Sequence, residues 1–354
     1  MSASIHGLGM FLPETIRQND DWPPSFREQF ERLRRDDLTR IDPAEDAIGA
    51  LAQRHAAVHE RDPFRGARRR HVVTHTTSSE AGALAARAAL DYAGISASEV
   101  DLVLSHALVP ERVSPPDAAR IAAHLGIRRA AALGLDAVCA SVIAQLVVAS
   151  AMIESGRARR VLLVQSHVVS PTLDYAQPAS AIFGDAATAL VVGPGARGEG
   201  LRADVASVDG SMHAAVSFER RSGTPWHAAG EAMHPASADR LATHRMTSRL
   251  LHFGVDTLGA LFDRARIHGT DVDVLSSIQP AAWYPAALAE AVGVPRVRAP
   301  STFDRIAHVG ACGVVANLLE ARAQGLLVPG AQVVLYAHGA GMNCVAALLR
   351  WGQR

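Results

Sequence analysis

The chain repeats itself once, at a constant offset of 171 residues. Val161-Leu-Leu-Val-Gln-Ser-His167 matches Gln332-Val-Val-Leu-Tyr-Ala-His338, Val138-Cys-Ala-Ser141 matches Val309-Gly-Ala-Cys312, and Val103-Leu-Ser105 matches Val274-Leu-Ser276, all in one register. A period this long is far beyond the roughly 20–50 residues of solenoid repeats. Two copies of one domain account for it. Each copy has the same grammar: Leu102–Leu104 and Val161–Val164 are short apolar runs of the kind that form buried strands. Between them Ala140–Glu154 is apolar on nearly every side, which predicts a helix inside the protein. Gly156 ends that helix, and Arg157, Arg159 and Arg160 suit the negative end of its dipole.

Strands alternating with helices make the fold class α/β. Two such halves with a common interior place a site at their seam. After the predicted strand Ala189–Val192 comes a glycine-dense link, Gly193–Gly200, so we expect an N-terminal half of residues 1–195 and a C-terminal half of residues 196–354. One charged region, about residues 20–62, lies outside the repeat. It carries helical stretches such as Phe26–Arg35 and reads as a surface helical insertion. Loops 170–181 and 218–235 are expected to shape the pocket.

Composition narrows the function classes. The 354 residues include 35 basic and 35 acidic side chains, every cation an arginine. A net charge of zero removes the electrostatic reason to expect nucleic acid or an anionic membrane as partner. Residues 1–13 are too broken for a signal peptide, and Val142–Ile153, interrupted by Gln145 and Ser150, falls short of the ~18 residues of a membrane span. A cytoplasmic protein is the expectation. Cys139, Cys312 and Cys344 show no Cys-x-x-Cys spacing, so neither a disulfide framework nor a metal site is expected.

Cys139 is the leading chemical candidate. It follows an extended stretch, Leu133–Val138, and opens the buried helix, where free N–H groups and the positive dipole end favour a thiolate over the usual thiol of pKa ~8.5. Cys312 and Cys344 lack that setting and read as packing residues.

Asp136-Ala-Val-Cys-Ala-Ser141, Arg160-Val-Leu-Leu-Val164 and Phe183-Gly-Asp-Ala-Ala-Thr-Ala-Leu-Val-Val192 resemble the thiolase superfamily, most of all its ketoacyl synthase III group. Ile5–Glu14, Arg68–His71, Val292–Pro295, Asp304-Arg305 and Gly339-Ala-Gly341 extend the resemblance over almost the whole chain outside the insertion. It implies a thiolase-like, duplicated, five-layered α/β/α/β/α fold, usually a homodimer. It also implies a cysteine that takes an acyl group from a coenzyme A or acyl carrier protein thioester, with no permanently bound cofactor. Cys139 falls on the nucleophile, and the backbone N–H groups of Cys139 and Ala340 fall on the oxyanion hole.

The departures are informative. Where condensing members carry a catalytic histidine this chain has Ile278, and where they carry a catalytic asparagine it has His308. That pair stabilises the enolate formed by decarboxylation; isoleucine donates no hydrogen bond, so that stabilisation is lost. A Cys139–His308 pair remains, and it suffices for acyl transfer. The expected function is therefore an acyltransferase of ketoacyl synthase III type in natural-product (polyketide or antibiotic) biosynthesis. It passes an acyl group through an acyl-cysteine to an alcohol, amine or carrier thiol. The alternatives are a decarboxylating β-ketoacyl synthase and a catalytically silent thiolase-fold subunit.

Triad logic calls for an acidic group to orient His308, and Asp304 is the nearest in sequence. His167 and His338 end equivalent strands and read as core hydrogen-bonding residues, Asp185 as a turn carboxylate, and His213 as a weaker candidate for substrate contact. The family's coenzyme A-holding tryptophan and arginine align with Glu60 and Phe64. This favours an acidic carrier protein as donor, docking on arginines such as Arg65, Arg68 and Arg69.

Overall fold

The computed structural model describes residues 2–34, 44–220 and 232–352. Parts of the insertion (35–43) and of the 218–235 loop (221–231) lie outside the described residues.

The internal repeat becomes two sheets. Among the described residues, five strands form the first in the order Ala3–Phe11, Ala186–Pro194, Val161–His167, Leu102–Ala107 and Ala131–Gly134. Four form the second in the order Gly200–Val208, Asn343–Arg350, Gln332–Gly339 and Val274–Ser277. The copies agree in register: Val103 pairs with Leu162 and Val274 with Val333, both in parallel, the same partners displaced by 171 residues. They part at the outer edge. The counterpart of the edge strand Ala131–Gly134 falls in a short helix, Phe303–Ile306.

Helices Ser141–Glu154 and Cys312–Ala323 lie between the sheets and touch strands of both. Helices Ser78–Ala93 and Asp117–His124 cover the outer face of the first sheet, and Leu250–Ala265, with Tyr284–Ala291 against it, covers the second. The architecture is thus the duplicated, five-layered α/β/α/β/α thiolase fold.

Local sequence explains how closely the layers approach. Helix Ser78–Ala93 starts with a capping box between Thr77 and Glu80 and stops at Gly94, whose φ of 64° only glycine adopts readily. Its alanines lie directly on the glycines of strand Ala3–Phe11: a Cβ at Gly9 would stand 2.2 Å from the Ala85 carbonyl oxygen.

Two expectations need correction. The central helix Ser141–Glu154 is not buried all round. Ala144, Val147, Val148 and Ala151, at helical spacing on one face, keep accessible surface, and Val148 is 38% exposed. Nor is the insertion merely superficial. Its helices span Pro24–Arg34 and Ala47–Ala56, and Trp22 and Phe26 bury themselves against Phe64, Phe303 and Ala307. Buried Arg70 lies under the same rings, its guanidinium 4.7 Å from the Trp22 centroid and 4.9 Å from that of Phe64. Its Nε donates to the Ala181 carbonyl at 2.5 Å and its Nη1 to Asn19 Oδ1 at 2.6 Å. Burial draws this guanidinium down to about 10, so it stays charged at neutral pH. The second insertion helix is tied to the C-terminal half by Asp46–His252 at 2.9 Å and His55–Glu290 at 2.8 Å.

Replacing Gly9 by valine is expected to destabilise the chain by about 1–3 kcal/mol, the usual range for overpacking. An unchanged melting temperature in calorimetry would show that the helix–strand approach is looser than described.

Candidate active site

Residues from both halves meet at the seam. In the N-terminal half the chain leaves strand Ala131–Gly134 and makes a tight turn, Val138–Ala140, before helix Ser141–Glu154; Cys139 is the middle of that turn. The predicted extended segment thus ends at Gly134 rather than Val138. Val138 has φ 53°, a conformation costly for a β-branched residue by about 1–3 kcal/mol. Surrounding hydrogen bonds hold it there: Asp136 Oδ1 accepts the Val138 N–H at 2.6 Å, Ser141 Oγ accepts the Ala137 N–H at 2.8 Å, and Ser141 Oγ donates to the Val138 carbonyl at 2.6 Å.

In the C-terminal half the turn between strands Gln332–Gly339 and Asn343–Arg350 presses on this element. A Cβ at Gly339 would stand 2.4 Å from the Ala137 carbonyl oxygen and 3.1 Å from the Cys139 nitrogen. Ala340 follows at once and keeps a negative φ, so alanine replaces the family's glycine there without strain.

His308 comes from the same half and brings Nε2 to 3.9 Å from Cys139 Sγ. Its placement also uses strained backbone, with Ala307 at φ 61°. Two hydrogen bonds then fix the main chain: His308 N–H donates to the Ile182 carbonyl at 2.9 Å, and Gly184 N–H donates to the His308 carbonyl at 3.1 Å. The ring packs edge-on against Phe183, centroids 5.3 Å apart.

The orienting group is not the acid expected. Asp304 has a side chain 51% exposed and lies 3.8 Å from Arg305. His308 Nδ1 instead lies 3.0 Å from the main-chain carbonyl of Gln279. A carbonyl oxygen only accepts, so Nδ1 carries the proton and Nε2 turns its lone pair toward the sulfur. A neutral carbonyl avoids burying a second charge. Ile278, in the family's histidine place, is 1% exposed and belongs to the hydrophobic core.

The electrostatics differ from the expectation for a helix start. Cys139 keeps some accessible surface, but the protein packed around it dominates: burial pushes the thiol up to about 12, and the Asp136 carboxylate adds to this. Burial, then His167, then Arg65 draw His308 down to about 4. The resting pair is therefore a neutral thiol facing a neutral imidazole.

The remaining candidates sort clearly. His167 Nδ1 donates to the Gly184 carbonyl at 2.9 Å, and its ring leans on Gly310, the repeat counterpart of Cys139. His338 Nδ1 lies 3.3 Å from the Tyr336 hydroxyl. Burial draws the two imidazoles down to about 4 and about 3. Asp185 is fully buried and accepts the N–H groups of Val73, Val169 and Ser170, which makes it an architectural carboxylate. His213 is exposed. Phe64, aligned with the family's coenzyme A-holding arginine, is 1% exposed inside the Trp22 cluster, and Glu60 is exposed. A cavity of about 520 Å³ lined by Arg17, Thr74, Ser170 and Tyr175 includes neither Cys139 nor His308. Among the described residues no three metal-binding side chains cluster, and no helix is long and apolar enough to cross a membrane.

Two thiolase halves closing a cysteine and a histidine into one seam define the class: a protein of the thiolase superfamily. Family models for 3-oxoacyl-(acyl-carrier-protein) synthase III and for its C-terminal part match residues 133–210 and 262–351. A β-ketoacyl-(acyl-carrier-protein) synthase III of Streptomyces coelicolor is 32% identical over 291 residues, covering 78% of this chain and 83% of its own. One from Symbiobacterium thermophilum is 26% identical over 359 residues, covering 99% and 98%. The solved 3-oxoacyl-(acyl carrier protein) synthase III of Pseudomonas aeruginosa matches with TM-score 0.78 and 26% identity, covering 100% of this chain and 99% of that one. The chain belongs to the 3-oxoacyl-(acyl-carrier-protein) synthase III family, whose members are acyl-transferring synthases.

The buried histidines give a pH dependence with a definite sign. Unfolding returns each imidazole to its ordinary value near 6.5, so below that pH the unfolded chain binds more protons. Stability is full above about pH 6.5 and is lost as the pH falls toward the folded values of His308 and His167, about 4. Urea midpoints should be lower at about pH 5 than at about pH 7.5; equal midpoints would mean that the imidazoles are solvated.

Proposed function

We propose that the chain is an acyltransferase of ketoacyl synthase III type, with Cys139 as nucleophile and His308 as its base. The observation that carries this reading is the imidazole 3.9 Å from the sulfur, with buried Ile278 where a second polar group would be needed for decarboxylation.

The chemistry needs no other side chain. As the donor thioester arrives, Nε2 of His308 takes the Cys139 proton and the sulfur attacks the carbonyl carbon. The neutral resting pair ties this transfer to substrate binding, since separated charges in a dry seam gain stability only from the developing oxyanion and its donors. The amides of Cys139 and Ala340 serve as those donors. Collapse breaks the donor carbon–sulfur bond, and the departing thiol leaves with the proton from Nε2. An acceptor alcohol, amine or carrier thiol then gives its proton to Nε2 and attacks the acyl-cysteine, returning Cys139 to the thiol.

The donor we favour is an acyl carrier protein rather than free coenzyme A, because Phe64 is buried where the family's coenzyme A arginine would lie. The setting we propose is natural-product biosynthesis in the cytoplasm. A second copy of the chain fits the apolar stripe Ala144, Val147, Val148 and Ala151 and the one-sided edge strand Ala131–Gly134, whose Leu133 is 51% exposed, as expected of a homodimer.

Intact-mass spectrometry tests the mechanism. Offered acyl thioesters, the parent gains an acyl mass on Cys139 and Cys139→Ala gains none. His308→Ala, lacking the base for both steps, gains the acyl mass and passes it on about 10²–10⁴-fold more slowly, the usual share of a general base. Undiminished transfer by His308→Ala removes the histidine from the mechanism, and carbon dioxide release from a malonyl thioester would favour condensation. Separately, Val148→Glu is expected to halve the sedimentation mass; a parent chain that sediments as a monomer would overturn the dimer.

A further inference from the structure

The turn that presents Cys139 carries a polar pair that acyl transfer does not use. Asp136 stands three residues before the cysteine, and the Oδ1 that accepts the Val138 N–H at 2.6 Å also lies 3.2 Å from Nδ1 of His106. His106 closes strand Leu102–Ala107 with its side chain 4% exposed, whereas that of Asp136 is 65% exposed. Val138 holds its left-handed φ through Asp136, Ser141 and the Gly339 contact, and of these only Asp136 brings charge.

We propose that Asp136 is a positioning residue for Cys139: it locks the left-handed turn and thereby aims the sulfur at His308. The role rests on reading Cys139 as the nucleophile. The carboxylate has a second consequence. After burial it is the next cause that holds the Cys139 thiol up, while His106 is the first cause that holds Asp136 down. His308 from the other half contacts the sulfur, and the other titratable groups that act on it are Asp136 on its own turn and Cys312 on the matching central helix, with His106 3.2 Å from Asp136. The carboxylate therefore keeps the sulfur protonated between turnovers as well as aimed.

The test uses the full-length chain and iodoacetamide, a probe that does not depend on acyl chemistry, with the adduct on Cys139 located by peptide mass over a range of pH. Asp136→Asn keeps an oxygen for the Val138 N–H but loses the charge. Its alkylation at fixed mildly alkaline pH should rise about three- to tenfold, a half- to one-unit displacement of the profile. His106→Gln keeps the carboxylate, which is ionised at that pH with or without the imidazole, and should leave the alkylation profile close to the parent's. A role limited to stabilising the fold would loosen the turn and move both variants the same way. Asp136→Ala, which removes the clamp, should lower the rate of acyl-cysteine formation by about tenfold or more, since small misplacements of a reacting group are costly. A parent-like profile for Asp136→Asn, or displacement of both variants in one direction, overturns the proposal. Should the profiles move as expected while no thioester acylates the chain, the acyl-transfer reading fails and the positioning role stands.

Discussion

The site depends on one close contact between the two halves. Gly339 leaves no room for even a Cβ against the Ala137 carbonyl and the Cys139 amide. This seat joins the turn that carries the sulfur to the turn that carries Ala340. Both turns are the endpoints of strands in different sheets, and each sheet packs on the two central helices. Displacing either half by an ångström would open the seam, and protein interiors resist such shifts because they are packed like crystals.

The dryness that makes the seam rigid also decides its protonation. A helix start favours a thiolate, but its effect is small beside the cost of holding an anion away from water. With burial and Asp136 pushing the thiol up and burial drawing the imidazole down, the neutral pair is the ground state. The same avoidance of buried charge explains why a main-chain carbonyl, from Gln279, orients His308.

The insertion belongs to this arrangement. Trp22 and Phe26 pack beside Ala307, the strained residue next to His308, and Arg70 links their rings to the Ala181 carbonyl next to Ile182, whose own carbonyl accepts the His308 N–H. Segments that look peripheral in the sequence thus support the backbone on which the imidazole stands.

Much of the fold was legible in the sequence, because a repeat at a fixed offset and the apolar patterns of strands and helices are local records of burial. The strands around Val103, Leu162–Val164 and Val333–Leu335 lie where those patterns put them. Cys139 stood out as a candidate by its place at a predicted helix start, and His308 by the family resemblance and its place beside the repeat of that turn. The carbonyl of Gln279 was not, since every residue has a carbonyl and only the folded chain selects one. The charge state of Cys139 was equally hidden, as it depends on how much protein surrounds the sulfur. Residue order alone thus specified the duplication, the elements and the candidate side chains. Which of them meet, which backbone groups orient them and whether they are charged were settled by folding, because distance and desolvation arise from segments far apart in the chain.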